Sequence, residues 1–203
     1  MTEIELNKYN ERISQGDIYK NVWCFENISQ DGKNLKISRV FFPYVVVLTQ
    51  DCDIQQHDIY VGHKTGQLFS VLVAPIYNVA NFIEGTHLEN LKLESPNYIT
   101  SKNKGSLLVE TNQYINSEAK LIINNQISRY HYLDFDSSNI EIPPSIVDFK
   151  HYFSVGVDYL KNDKKEDFVC RLKPIYRELL TQRFSNYLSR IGLPNPEDIN
   201  SNR

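Results

Sequence analysis

At 203 residues, with 22 Lys and Arg against 25 Asp and Glu, the chain has a formal net charge of −3. That length suffices for one ordinary core, and the balance lacks the basic excess of a nucleic-acid-coating protein. The 41% hydrophobic and 23% charged content excludes intrinsic disorder, and the longest apolar run, about eight residues around Phe41 to Leu48, is far short of the ~20 needed to span a bilayer.

No apolar signal-peptide core follows Met1, because Glu3, Glu5, Lys8 and Glu11 interrupt it. Cys24, Cys52 and Cys170 are an odd and sparse set that suits a reducing compartment better than a disulfide framework. A cytoplasmic protein without membrane association is therefore expected, and no motif implies a cofactor.

The first half reads as strands. Gly16 to Glu26 is enriched in β-branched and aromatic residues, and Asp31-Gly32 is a hairpin signal. Leu35, Ile37, Arg39 and Phe41 alternate with residues of the opposite face, as a half-buried strand requires. Pro43 to Thr49 and Phe69 to Ile76 are continuous apolar runs, the pattern of strands covered on both faces. Between them, polar Asp51 to Gly66 has to turn the chain. Asn78 to Ile83 suits a short helix, and Glu110 to Asn125 has apolar residues at roughly helical spacing.

Ser128 to Phe135 alternates like a strand, and Pro143-Pro144 breaks the chain before a strand over Ile146 to Val157. Phe168 to Leu172 is a last short strand. Pro174 then suits a first helical turn, and Ile175, Leu179, Phe184, Leu188 and Ile191 mark a helical face that Gly192 and Pro194 stop. Glu94 to Gly105 reads as an exposed loop and Lys161 to Asp167 as a solvated charge run. A single domain over 1–203 is expected. Residues 15–77 form the first part of a barrel, mixed strands and helices over 78–172 complete it, and a terminal helix occupies 173–194.

Three blocks carry a resemblance: Gly16-Asp17-Ile18-Tyr19, Pro43 to Gln50 (PYVVVLTQ) and Leu72-Val73-Ala74-Pro75-Ile76. In order and spacing they are similar to the PemK/MazF toxins, small SH3-like barrels whose members cut RNA. The fold this implies is mainly β with α: a small SH3-like barrel with helical insertions and a C-terminal helix. In that family an arginine stands immediately before the proline that opens the apolar strand and stabilises the phosphate being cleaved. A Thr or Ser follows the Ala/Cys-Pro-Ile block and lies beside the scissile bond. Here those positions hold Phe42 and Tyr77. A phenyl ring supplies neither positive charge nor a planar donor fork to a pentavalent phosphate. Arg39 is three positions away and points to the opposite strand face.

A second likeness covers Thr49 to Ile54 (TQDCDI), Arg129 to Leu133 (RYHYL) and Pro174 to Pro194. It resembles a group of bacterial proteins in which the strand ends in Ser/Thr-Gln-x-Cys-Asp and the last helix in Arg-(Val/Ile)-Gly-(Leu/Thr)-Pro, a group that brings no activity with it. Together these likenesses imply a non-catalytic binding or regulatory component in a toxin–antitoxin or phage-defence setting. A protein partner or self-association is expected, with RNA a further candidate. The enzymatic alternative is a divergent endoribonuclease acting on single-stranded RNA, with Arg39 or Arg129 stabilising charge and Asp53 or His57 as base.

Asp51, Cys52, Asp53 and His57 form the densest cluster of reactive side chains, at a strand exit where function often sits. Three readings stay open. The cluster is a ligand or partner site; it is a thiol or metal site at Cys52; or it is a turn in which the aspartates cap backbone N–H groups around a small buried Cys52. No established metal-ligand spacing is present. Arg177, Arg183 and Arg190, with Lys173, decorate the final helix beside Tyr176 and Tyr187 and form a candidate basic surface; a solvated or partner-facing helix is the commoner origin of such a charge pattern. Tyr130, His131 and Tyr132 read as cross-strand packing. His63 and His87 stand singly in polar loops and carry no expected role.

Overall fold

β-Branched and aromatic residues fill the first quarter of the chain, and in a computed structural model they build two long paired strands. The structure describes residues 4–5, 12–31, 33–59, 68–88, 91–94, 116–135, 140 and 142–190. In chain order these form β1 (Ile4–Glu5), β2 (Asp17–Asp31), β3 (Asn34–Val47), α1 (Asp51–Ile59), β4 (Ser70–Asn78), α2 (Val79–Glu84) and β5 (Lys92–Glu94). They continue with α3 (Asn116–Ile123), β6 (Tyr130–Leu133), β7 (Ser145–Asp148), β8 (Phe153–Gly156), β9 (Phe168–Leu172) and α4 (Pro174–Leu188).

The strands join in one nine-stranded sheet of order β1-β9-β2-β3-β4-β7-β6, with β5 on β3 and β8 on β4. Every pairing is antiparallel. The result is a mainly β fold, a small curled barrel sheet with a few helices including a C-terminal one, as the pattern of short turn-separated strands predicts.

The sheet buries two apolar clusters. One gathers Tyr19, Val45, Val47, Val71, Val73, Tyr77 and Ile146; the other gathers Ile18, Val46, Ala74, Ile76, Val147 and Phe149 with Leu180 and Phe184 of α4. Adjacent residues of β3 and β4 therefore feed opposite clusters, which is why both strands read as uninterrupted apolar runs. Pro43 to Thr49 is not a separate strand, however: it continues Leu35 to Phe41 in one 14-residue element.

Local chemistry shapes the rest. Gly16 takes φ +78 and threads between two strands, its N–H on the Val47 carbonyl (2.9 Å) and its carbonyl accepting from Leu172 N–H (2.9 Å). Asn78 caps α2, accepting from Ala80 N–H at 2.8 Å. Ile146 to Val157 is not one strand but two, β7 and β8, parted by a 3-10 turn at Phe149–His151 that Asp148 caps through Lys150 N–H. On α4 the buried stripe is Tyr176, Leu180, Phe184 and Tyr187, while Ile175, Leu179 and Leu188 face outward. The same four-residue step fits both stripes, and the tyrosines, whose rings pack well, take the inward one. The helix expected over Glu110 to Asn125 is described as Asn116–Ile123. The expected stops at Gly192 and Pro194 and the loop residues from 95 to 105 lie outside the described residues. No helix among the described residues is long and apolar enough to cross a membrane.

Candidate functional site

Asp51 opens α1 and is not in an irregular turn. Asp51 and Asp53 stand in the first turn, where a helix N-terminus favours carboxylates, so the polar segment after β3 coils. The strand exit before it is pinned by Leu72 N–H donating to Thr49 Oγ1 at 2.7 Å. Asp51 does accept a backbone N–H, but from a distant segment: Gln15 N–H donates to Oδ1 at 2.8 Å. Its other oxygen accepts from Arg177 Nη1 of α4 at 2.8 Å.

Asp51 is thus a tie between the β2 turn, α1 and α4, and Gln15 and Thr181 add a further contact between turn and helix. A parallel tie lies beneath, where the Arg171 fork grips fully buried Asp17 at 2.5 and 3.1 Å. Burial raises the Asp17 carboxyl to about 6 despite that partner.

Cys52 is exposed, contrary to the expectation of a small buried residue, with Sγ 3.5 Å from Gln50 Oε1 and 3.8 Å from Asp53 Oδ1. A shallow cleft of about 410 Å³ is lined by Asp51, Cys52, Gln15, Gln50, Glu178 and Thr181, among others; Asp53 is not part of that lining. His57 lies four residues after Asp53 on the same helix, with its side chain outside the described residues. Among the described residues no three His, Cys, Asp or Glu side chains gather as a metal-holding group.

The helix arginines divide their work. Arg177 holds Asp51. Arg183 donates to the carbonyls of Asn125 (2.6 Å), Ile127 (2.8 Å) and Tyr130 (2.6 Å), clamping the turn after α3. Arg190 lies over Tyr187, its guanidinium 4.1 Å from the ring centroid. All three thus make contacts within the chain, Arg190 also donating to the Tyr187 carbonyl at 3.1 Å. Arg39 stacks over Trp23 at 4.1 Å, and Arg129 grips fully buried Asp148 at 2.8 and 2.6 Å. Neither reaches Asp53, Cys52 or Asp51 through any contact described for these groups.

A second site forms where the sheet splays. Along β2 and β3 the register runs from Lys20↔Tyr44 to Val22↔Phe42, so Pro43 falls opposite Asn21, whose φ is +58. Pro43 has no N–H to offer. On the other side of β3, pairing with β4 reaches only Val45↔Pro75, while β7 pairs with residues 76–78 along the opposite edge of β4. The strands fork there. Two cavities flank Tyr77: one of about 200 Å³ lined by Pro43, Tyr44, Ile76, His87 and Ser145, and one of about 340 Å³ lined by Cys24, Glu26, Phe42, His151 and Phe153.

Phe42 and Tyr77, the two positions singled out by sequence, thus wall one cavity. Phe42 stacks on Phe153 with centroids 5.0 Å apart and an interplanar angle of 24°. Tyr77 is 4% exposed, and burial pushes its hydroxyl well above the usual range, so it stays a neutral phenol. That hydroxyl is 3.1 Å from His151 Nδ1, which also stands 3.5 Å from Asp148 Oδ2. The Arg129–Asp148 pair and the Tyr77–His151 pair form one polar chain at the wall of an apolar space. His87 is drawn in as well: its ring is 4.5 Å from Phe82 and 4.9 Å from Tyr77, and burial lowers its pKa to about 4.

Sequence reading missed His151, Asp148 and His87 as a group, because the fold brings the 148–151 turn against Tyr77 and His87, more than sixty residues earlier in the chain. The available signal was Asp148-x-x-His151, a spacing that places both side chains on one side of a single helical turn. No family model and no curated protein matches the chain.

Proposed function

We propose that the chain is a recognition component built on a PemK/MazF-like barrel, binding a partner or ligand rather than cutting RNA. The setting the resemblance implies is a bacterial toxin–antitoxin or phage-defence system in the cytoplasm. One observation carries the reading: the positions that would hold the phosphate-stabilising arginine and the Thr/Ser hydroxyl hold Phe42 and Tyr77, and both wall one aromatic cavity. No Lys or Arg stands among its described lining residues, so a transferring phosphoryl group would meet no cationic partner. Exposed apolar side chains on the β2–β3 hairpin, Phe25 and Ile28, support a protein partner or self-association.

The test is incubation of purified full-length protein with single-stranded RNA. No cleavage is expected at nanomolar to micromolar protein. Cleavage at low nanomolar concentration that co-elutes with the monodisperse protein overturns the reading.

A further inference from the structure

The larger fork cavity has a composition that selects its guest. Phe42, Tyr77, Tyr152 and Phe153 bring four aromatic rings to its lining, and Glu26 stands there with them. A β-bulge at Glu26 breaks the register between Phe25 and Asn27 and re-aims this residue. Its carboxylate accepts from the Ser38 hydroxyl at 3.0 Å, which fixes it on the hairpin. The negative charge is felt inside: after burial, Glu26 is the second cause that raises the Cys24 thiol. Arg39 lies over Trp23 on the outer strand face, and Arg129 is neutralised by Asp148.

Resting on the recognition reading, we propose that this cavity binds an organic cation, an ammonium or guanidinium group on an aliphatic stem. Aromatic faces attract such a cation through their quadrupoles, more strongly once water is excluded, and Glu26 supplies the counter-charge. An aliphatic stem covers the apolar part of the wall formed by Val40 and Leu88. The Tyr77 hydroxyl and His151 then offer hydrogen-bonding atoms beside the rings. Phosphate and carboxylate guests are disfavoured by the same carboxylate and by the absence of Lys or Arg among the described lining residues. The volume, about 340 Å³, lies at the small end of ligand pockets. Two sources fit this chemistry: a free amine such as agmatine, or an arginine side chain presented by a partner protein.

Calorimetric titration of the full-length protein separates them. The probes are agmatine, a capped pentapeptide with a central arginine, the same peptide with glutamine in its place, benzyl alcohol and inorganic phosphate. At least one cationic probe is expected to bind ten times more tightly than the glutamine peptide and benzyl alcohol, with phosphate silent. Whichever cationic probe binds more tightly identifies the source. Glu26→Gln and Tyr152→Leu change exposed side chains, so the fold is retained, and each should weaken the cation at least fivefold. The proposal is overturned if no cationic probe binds at 10 mM, if a neutral probe or phosphate binds as well, or if Glu26→Gln leaves affinity unchanged. Such a failure without RNA cleavage leaves the recognition reading standing; RNA cleavage removes that reading whatever the cations do.

Discussion

Replacing Gly16 with alanine perturbs the point where the barrel turn meets α4, and its cost follows from two separable effects. The first is backbone: at φ +78 an L-residue with a Cβ costs about 1–2 kcal/mol. The second is packing. A Cβ at this position would lie 2.5 Å from Arg177 Cγ, 2.9 Å from Arg177 Cδ and 3.1 Å from Leu172 Cβ. The Arg177 stem has to swing away, and with it goes the 2.8 Å bond to Asp51. Because that pair is partly exposed, its loss adds about 1 kcal/mol at most. The sum is about 1–3 kcal/mol, which for a chain of this size lowers Tm by about 2–12 °C. The assay is thermal and urea unfolding of Gly16→Ala, Arg177→Ala and the double variant. With Arg177 already truncated, Gly16→Ala should cost only its backbone share, leaving a coupling of about 1 kcal/mol. A cost below about 0.5 kcal/mol for Gly16→Ala, or zero coupling, would refute the docking of α4 on the turn through Arg177.

Two further outcomes bear on the β6–α4 interface. His131 is 1% exposed, neither ring nitrogen has a hydrogen-bond partner among the described residues, and burial together with the Arg183 charge holds its pKa down to about 3. A lowered folded pKa means stability present above about pH 6.5 and lost as pH falls towards 3, about 2 kcal/mol by pH 5. His131→Leu should therefore gain stability over the wild type at pH 5 more than at pH 7.5. Comparing the two proteins at each pH cancels the opposite trend from Asp17, whose raised pKa weakens the fold as pH rises towards 6; an equal difference at both pH values rejects the assignment. Arg183→Ala removes three charge-assisted bonds to carbonyls and should cost about 2–4 kcal/mol, read from the urea midpoint, with faster amide exchange over residues 124–130. Arg183→Lys, a point charge in place of a fork, should recover only part of it, and an unchanged midpoint in both variants would show that the clamp does not hold the turn.

How far the sequence reaches depends on whether a residue's neighbours are close in the chain. β9 is legible to the residue, Phe168 to Leu172, because alternation and the following proline are local signals. The short helix after Asn78 is legible too, since its cap stands beside it. α1 was hidden: Asp51 to Ile59 has almost no amphipathic pattern, and its stability comes from carboxylates at its N-terminus and from Gln15 and Arg177 gripping Asp51. The inward stripe of α4 was misassigned for a related reason. Leucine and isoleucine were expected to face the core, yet Tyr176 and Tyr187 take those places and pack beside Phe149 and Phe184.

The candidate site divides along the same line. Phe42 and Tyr77 could be singled out because the resemblance fixes their places, one residue before Pro43 and two after Pro75. That they face one space could not be read, since it follows from the β3–β4 pairing ending at Val45↔Pro75 and from β8 and the Phe149–His151 turn lying along the other edge of β4. The prolines punctuate the strands in sequence, and each leaves one backbone position without a donor. The β3–β4 ladder runs over Val45 to Val47 and ends at Val45↔Pro75. Chemistry then depends on which side chains fill the fork. Here four rings and a carboxylate stand there with no Lys or Arg among the described lining residues, which is why the cation titration is the decisive test of what the cavity holds.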